Sequence, residues 1–74
     1  MHEVERQALE HEIQEHMTRV EELAAILRDL EENLEQVVDP PPQLLSRRAE
    51  LKLELRGRMA AIAMGEARLG IDPL

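Results

Sequence analysis

In the first half of the chain the apolar positions are Leu9, Ile13, Val20, Leu23, Leu27, Leu30, Leu34 and Val37, and after Val20 their spacing alternates between three and four. This is a heptad seam, the signature of a long helix with one apolar stripe. With Val20, Leu27 and Leu34 at a and Leu23, Leu30 and Val37 at d, Ile13 takes an a position, and Leu9 and His16 take d positions. Met17, Ala24 and Val38 at e, with Ile26 at g, widen the stripe toward the C-terminal end. Before Leu9 the pattern decays, because Arg6 and His2 stand where apolar residues would. The pattern predicts a helix over about 3–38, about 50 Å long at its ordinary rise.

The second half has a different pattern. On a helical wheel, Leu44, Leu51, Leu55, Met59, Ile62 and Leu69 gather on one side, which is the expected face for helix one. Ala49, Leu53, Ala60, Met64, Ala67 and Ile71 gather on the other. Glu50, Glu54, Arg58 and Arg68 run along one edge between these faces, and Lys52 and Arg56 along the other. A helix apolar on two sides cannot bury both against one neighbour, so a second partner is expected on the face carrying Leu53, Ala60, Met64, Ala67 and Ile71. The run Met59-Ala60-Ala61-Ile62-Ala63-Met64-Gly65 fits close helix contact through small residues and adaptable methionines. Alanine is also the best helix former, so the same run serves helix stability. Gly65 inside a helix costs about 1 kcal/mol relative to alanine, which points to close packing or to a weakening before the end.

Between the halves stands Asp39-Pro40-Pro41-Pro42. Proline lacks the N–H that an interior helical turn needs and pushes the residue before it toward extended backbone, so helix one must stop by about Asp39. A proline is equally suited to open a helix, where no N–H bond is lost. A turn over 39–42, a second helix over about 43–69 and a short tail at 70–74 follow, with Gly70 and Pro73 marking the stop. So short a connection favours antiparallel neighbours. The expected fold is all-α, an antiparallel two-helix hairpin that completes a four-helix bundle by association.

Composition sharpens this picture. Seventy-four residues without Cys, Phe, Trp or Tyr form one small domain with an aliphatic core and neither disulfides nor thiolate metal sites. A core of this size supplies about 3–5 kcal/mol, so reinforcement by a partner is expected. Residues 1–39 carry twelve acids against three arginines, and residues 40–74 carry four acids against six basic side chains, so the halves attract. The net charge of −7 disfavours nucleic acid and anionic membrane surfaces. The chain contains no apolar run near the length of a membrane span, and Met1-His2-Glu3-Val4-Glu5 lacks the basic start and apolar middle of a signal peptide. A cytoplasmic protein is expected.

Candidate chemistry is sparse. His11-Glu12-Ile13-Gln14-Glu15-His16 superficially resembles a zinc-protease motif, but that motif needs histidines four apart on one helix face, and these are five apart. His11 with Glu15 and Glu12 with His16 do have i, i+4 spacing, so a second chain could complete a carboxylate–histidine site. A metal-binding helical bundle is therefore the alternative reading. His16 on the seam can also fix register or oligomer state, and if buried its protonation near pH 6 loosens the assembly. Thr18 and Ser46 are the only hydroxyl side chains, and neither has a catalytic base beside it. No enzymatic role and no cofactor are expected.

An acidic first helix, the turn Asp39-Pro40-Pro41-Pro42-Gln43 and an Ala-rich second helix resemble the small helical-hairpin co-chaperones of type III secretion needle subunits. The resemblance implies a hairpin that docks on a larger helical-repeat chaperone and keeps an aggregation-prone subunit soluble. Where that family carries an aromatic residue soon after the turn, this chain has Leu44 and Leu45. The expected function is protein–protein interaction, with the partner either a second copy (a dimer or tetramer) or a larger helical protein. A third reading makes the chain part of a longer coiled coil.

Overall fold

The computed structural model describes residues 2–70. Two helices account for nearly all of them: α1 (Glu3–Glu35) and α2 (Pro42–Leu69), packed against each other as a hairpin 54 Å long and 15 Å across its thinnest direction. The length is that of the 33-residue α1 itself.

Helix α1 ends at Glu35, three residues short of the boundary that its seam suggests. Gln36 caps it, and the N–H groups of Gln36 and Val37 donate to Asn33 O and Leu34 O at 3.2 and 3.3 Å in a tightened last turn. The β-branched pair Val37-Val38 favours extended backbone and Pro40 bars Asp39 from the helical region, so the proline effect reaches back several residues. Val38 is consequently fully exposed and Val37 is 40% exposed, outside the seam. Pro41 (φ −60°, ψ 146°) leads into α2, Pro42 takes its first position, and Leu44 N–H donates to Pro41 O at 3.0 Å. No side chain caps this end, and Ser46 stands in the second turn. Gly70 closes α2 with φ 75°, a left-handed conformation that costs glycine little, and its N–H donates to Ala67 O at 3.1 Å.

The core is a short aliphatic cluster. Leu23, Leu27 and Leu51 are buried, and Leu30 and Leu55 pack against them half-exposed. Toward the open end Ile13 is buried against Gly65. A Cβ built on Gly65 would lie 2.8 Å from Ile13 Cγ1, so glycine here permits close approach of the helices.

On α1 the buried and half-buried positions Leu9, Ile13, His16, Val20, Leu23, Leu27, Leu30 and Leu34 are the heptad seam, flanked by half-buried Arg19 and Glu31. On α2 the corresponding series is Leu44, Arg48, Leu51, Leu55, Arg58, Ile62, Gly65 and Leu69, again in steps of three and four. Met59 is not part of it and is 57% exposed. The step from Leu55 to Ile62 passes through Arg58, because Arg58 has a polar partner across the seam and Met59 lies a further 100° round the helix. Met17 and Ile26, which widen the stripe of α1 in sequence, lie on its rims at 37% and 38% exposure.

Candidate functional site

The two flanks of the hairpin differ in chemistry. One carries a polar ladder. Arg19 on α1 reaches across to Glu54 on α2 with both ends of its guanidinium, Nε to Oε2 at 2.9 Å and Nη2 to Oε1 at 3.3 Å, and its Nη1 donates to Glu22 at 3.2 Å. Arg58 stands 3.6 Å from the same Glu54 and donates Nη1 to His16 Nδ1 at 3.0 Å. For that bond the imidazole must accept at Nδ1, which assigns the ring hydrogen to Nε2. His16 is thus half-buried, and its seam position is satisfied by a partner from the other helix.

Hydrogen bonds from Arg19 hold the Glu54 carboxyl below the usual glutamate range, partly opposed by desolvation, and the bond to Glu54 raises the Arg19 guanidinium further. A carboxyl group held low in the folded state adds stability above the ordinary glutamate range. That contribution is lost as pH falls through the folded value. Acid should therefore loosen the hairpin, and Glu54→Gln should blunt that acid-side loss while lowering stability at neutral pH. Thermal melts followed by circular dichroism at stepped pH check this, and equal acid-side slopes for both proteins would refute it.

Glu15 and Arg19 are four apart in the favoured order, yet Glu15 instead accepts from His11 Nε2 at 2.9 Å while Arg19 turns inward to α2. Near the end of α1, Glu31 meets Lys52 of α2, whose Nζ lies 3.3 Å away. Arg48 is half-buried in the seam register and Arg47 is exposed.

The other flank and the back of α2 are apolar. Leu55, Met59 and Ala60 form an open groove bordered by Lys52 and Arg56. Beyond it, outside the seam, Leu53 and Met64 are each 69% exposed, Met64 bordering a groove with Leu9 and Ile13 of α1, and Ala49, Ala60 and Ala67 lie exposed with them. Ile71 lies outside the described residues. Four of the five residues read as a partner surface therefore share one solvent-facing strip, with Leu53 and Met64 supplying its bulk. Sequence reasoning missed the groove at Met59, which it assigned to the seam. The misplaced signal was the 3-4 spacing through Arg58.

The remaining candidates are scattered. His11 and Glu15 pair with each other on the exposed surface of α1, while His16 points to Arg58 across the seam. Glu12 is exposed and borders an open groove with Glu5, Leu9 and Arg68. Among the described residues no three His, Cys, Asp or Glu side chains come together to hold a metal ion. The Thr18 hydroxyl donates to Gln14 O at 3.1 Å within its own helix. No helix among the described residues is long and apolar enough to cross a membrane. Comparison with family models, with curated proteins and with solved structures gives no match, so what the geometry establishes is an extended helical hairpin with apolar residues exposed along α2.

Proposed function

We propose that the protein is a non-catalytic interaction module that docks the outward strip of α2 against a helix of another protein chain. The observation that supports this is the exposure of Leu53 and Met64, large apolar side chains each 69% exposed outside the seam. A lone exposed leucine needs no explanation, but these two lie in register with Ala49, Ala60 and Ala67 along one helical face. Small residues between large ones leave hollows for the knobs of a facing helix. The polar ladder through Arg19, Glu54 and Arg58 marks the opposite kind of surface, one whose charges are already paired within the hairpin. A co-chaperone role of the kind implied by the resemblance is one form of this function, with a helical-repeat chaperone as the partner.

The double replacement Leu53→Glu, Met64→Glu tests the reading. Both side chains are solvated, so the hairpin should keep its helicity and its melting point within about 0.5 kcal/mol of stability. Partner chains retained by immobilised wild-type protein should be lost from the variant. Retention of the same chains by both would overturn the assignment of this face.

A further inference from the structure

We propose that His16 and Arg58 form a proton-released clasp: acidification through the histidine range parts the open end of the hairpin while the leucine core beside the turn stays closed. The clasp lies in the seam between α1 and α2, so it is independent of what docks on the outside of α2.

His16 and Arg58 meet at a boundary in the packing. On the turn side Leu23, Leu27 and Leu51 are buried, with Leu30 and Leu55 packed on them. On the open side only Ile13 and Gly65 are buried, and Leu9, Ile62 and Leu69 are half-buried. Farther out on α1, the seam positions Arg6 and His2 are exposed, and Arg6 pairs with Glu10 of its own helix. An open groove between the helices runs past Leu9, Ile13, His16 and Met64. A segment with so few buried apolar contacts opens at lower free energy than the core. Among the described residues, the bond from Arg58 to His16 is the polar tie between the helices that lies farthest from the turn.

That tie exists in one protonation state. Arg58 Nη1 stands 3.0 Å from His16 Nδ1, and a guanidinium can only donate, so the imidazole must accept. A proton on Nδ1 removes the acceptor and sets imidazolium against guanidinium at hydrogen-bond distance. The neighbouring charges do not offset this. On α1, Glu12 is exposed one turn before His16 and makes no ion pair with it, Glu15 accepts from His11, and Arg19 one turn on adds a further positive charge. On α2, Glu54 is engaged by Arg19 at 2.9 Å and by Arg58 at 3.6 Å, and Arg68 borders the same groove as another cation.

The closed end needs the imidazole as an acceptor, whereas the parted end leaves it free to take up a proton. The parted state therefore binds more protons and is favoured as pH falls. A free imidazole titrates near pH 6.5, about two units above a free glutamate. The Glu54 carboxyl, held lower still by Arg19, keeps its charge through this range, so the tie on the core side of the clasp persists.

The chain has no cysteine, so paired spin labels on introduced thiols report each end separately: Ala8 and Ala67 for the open end, Asp29 and Arg47 for the end beside the turn. Dilution into unlabelled protein confines the measured distances to one chain. Between about pH 7.5 and about pH 5.5 the ratio of long to short distances at the open end should rise about tenfold, the most that one imidazole supplies over this interval. The pair beside the turn should not change. His16→Gln, whose side-chain oxygen can accept from Arg58 but takes no proton, should stay closed at both pH values, and His11→Gln should respond as the wild type does. An unchanged wild-type distribution, an equal acid response in His16→Gln, or parting at both label pairs would each overturn the proposal. Should His16→Gln already be parted near neutral pH, His16→Leu decides, since leucine fills the seam with an apolar side chain. A closed end at both pH values in that protein upholds the clasp, and an acid response that persists in it overturns the clasp.

Discussion

Leu23→Ala is expected to leave most of the chain unfolded at room temperature. Leu23 is fully buried and sits in a cluster whose other buried members are only Leu27 and Leu51. Truncating a buried leucine to alanine costs about 2–5 kcal/mol, the spread depending on how far the surroundings collapse into the space. A hairpin of two helices has little means of closing the gap, because each seam layer holds one side chain from each helix and the backbones are held apart by neighbouring layers. The total available to a core this small is about 3–5 kcal/mol, so one substitution removes most of it. Urea titration followed by far-ultraviolet circular dichroism is the check. The wild type should show a cooperative transition, and Leu23→Ala should show a largely flat, low-helicity curve. Leu53→Ala removes the same atoms from a side chain that is 69% exposed and should retain the wild-type transition. Similar curves for Leu23→Ala and Leu53→Ala would mean that the hairpin core is not where the stability resides.

Leu23 illustrates what could be read before any coordinates. Its d position in α1 follows from spacing alone, because a helix that packs on one neighbour must repeat its apolar residues every 3.5 positions and α1 does so from Val20 to Leu34. The turn was equally legible, since three prolines permit neither a continued helix nor a sheet. The seam of α2 was harder to read because three of its eight positions are Arg48, Arg58 and Gly65. An arginine on a wheel reads as an edge. Arg58 belongs inside only because His16, itself an unlikely seam residue, offers Nδ1 to it from the other helix. Each of these polar residues makes sense through its partner, and pairings between residues 42 apart leave no mark on local periodicity. Met59 was misplaced for the same reason, filling on paper the seam position that Arg58 takes in space. The partner strip on the back of α2 was visible as a second apolar arc, whereas the uneven flanks were not. They depend on which way Arg19 and Lys52 turn, and that is decided by Glu54 and Glu31 on the facing helix.

Two glycines in α2 should respond to substitution with opposite signs, and Gly65→Val should show the larger effect. At Gly65 a Cβ would meet Ile13 Cγ1 at 2.8 Å and Cδ1 at 3.0 Å, with Leu9 Cδ1 a further 3.7 Å contact. Ile13 is 8% exposed, so its side chain has little room to retreat, and valine would add two methyl groups beyond the clashing carbon. Overpacking of this kind costs about 1–3 kcal/mol, which is relieved only by parting the helices at their open end. Leu9 and Ile13 would then lose their cover, and amide protons in the first four turns of α1 should exchange faster while those around Leu23 and Leu27 keep their protection. Gly57 lies on the exposed side of the same helix with open space around it, so Gly57→Ala should raise hairpin stability by about 1 kcal/mol through helix propensity alone. Measured at concentrations low enough for single chains, a melting point lowered by Gly65→Val and raised by Gly57→Ala would locate the close approach of the two helices at Ile13. A Gly65→Val protein as stable as wild type would show that the open end of the hairpin is already parted in solution. In that event the core would end near Val20, and the acidic first turns of α1 would contribute charge to the surface without packing on α2.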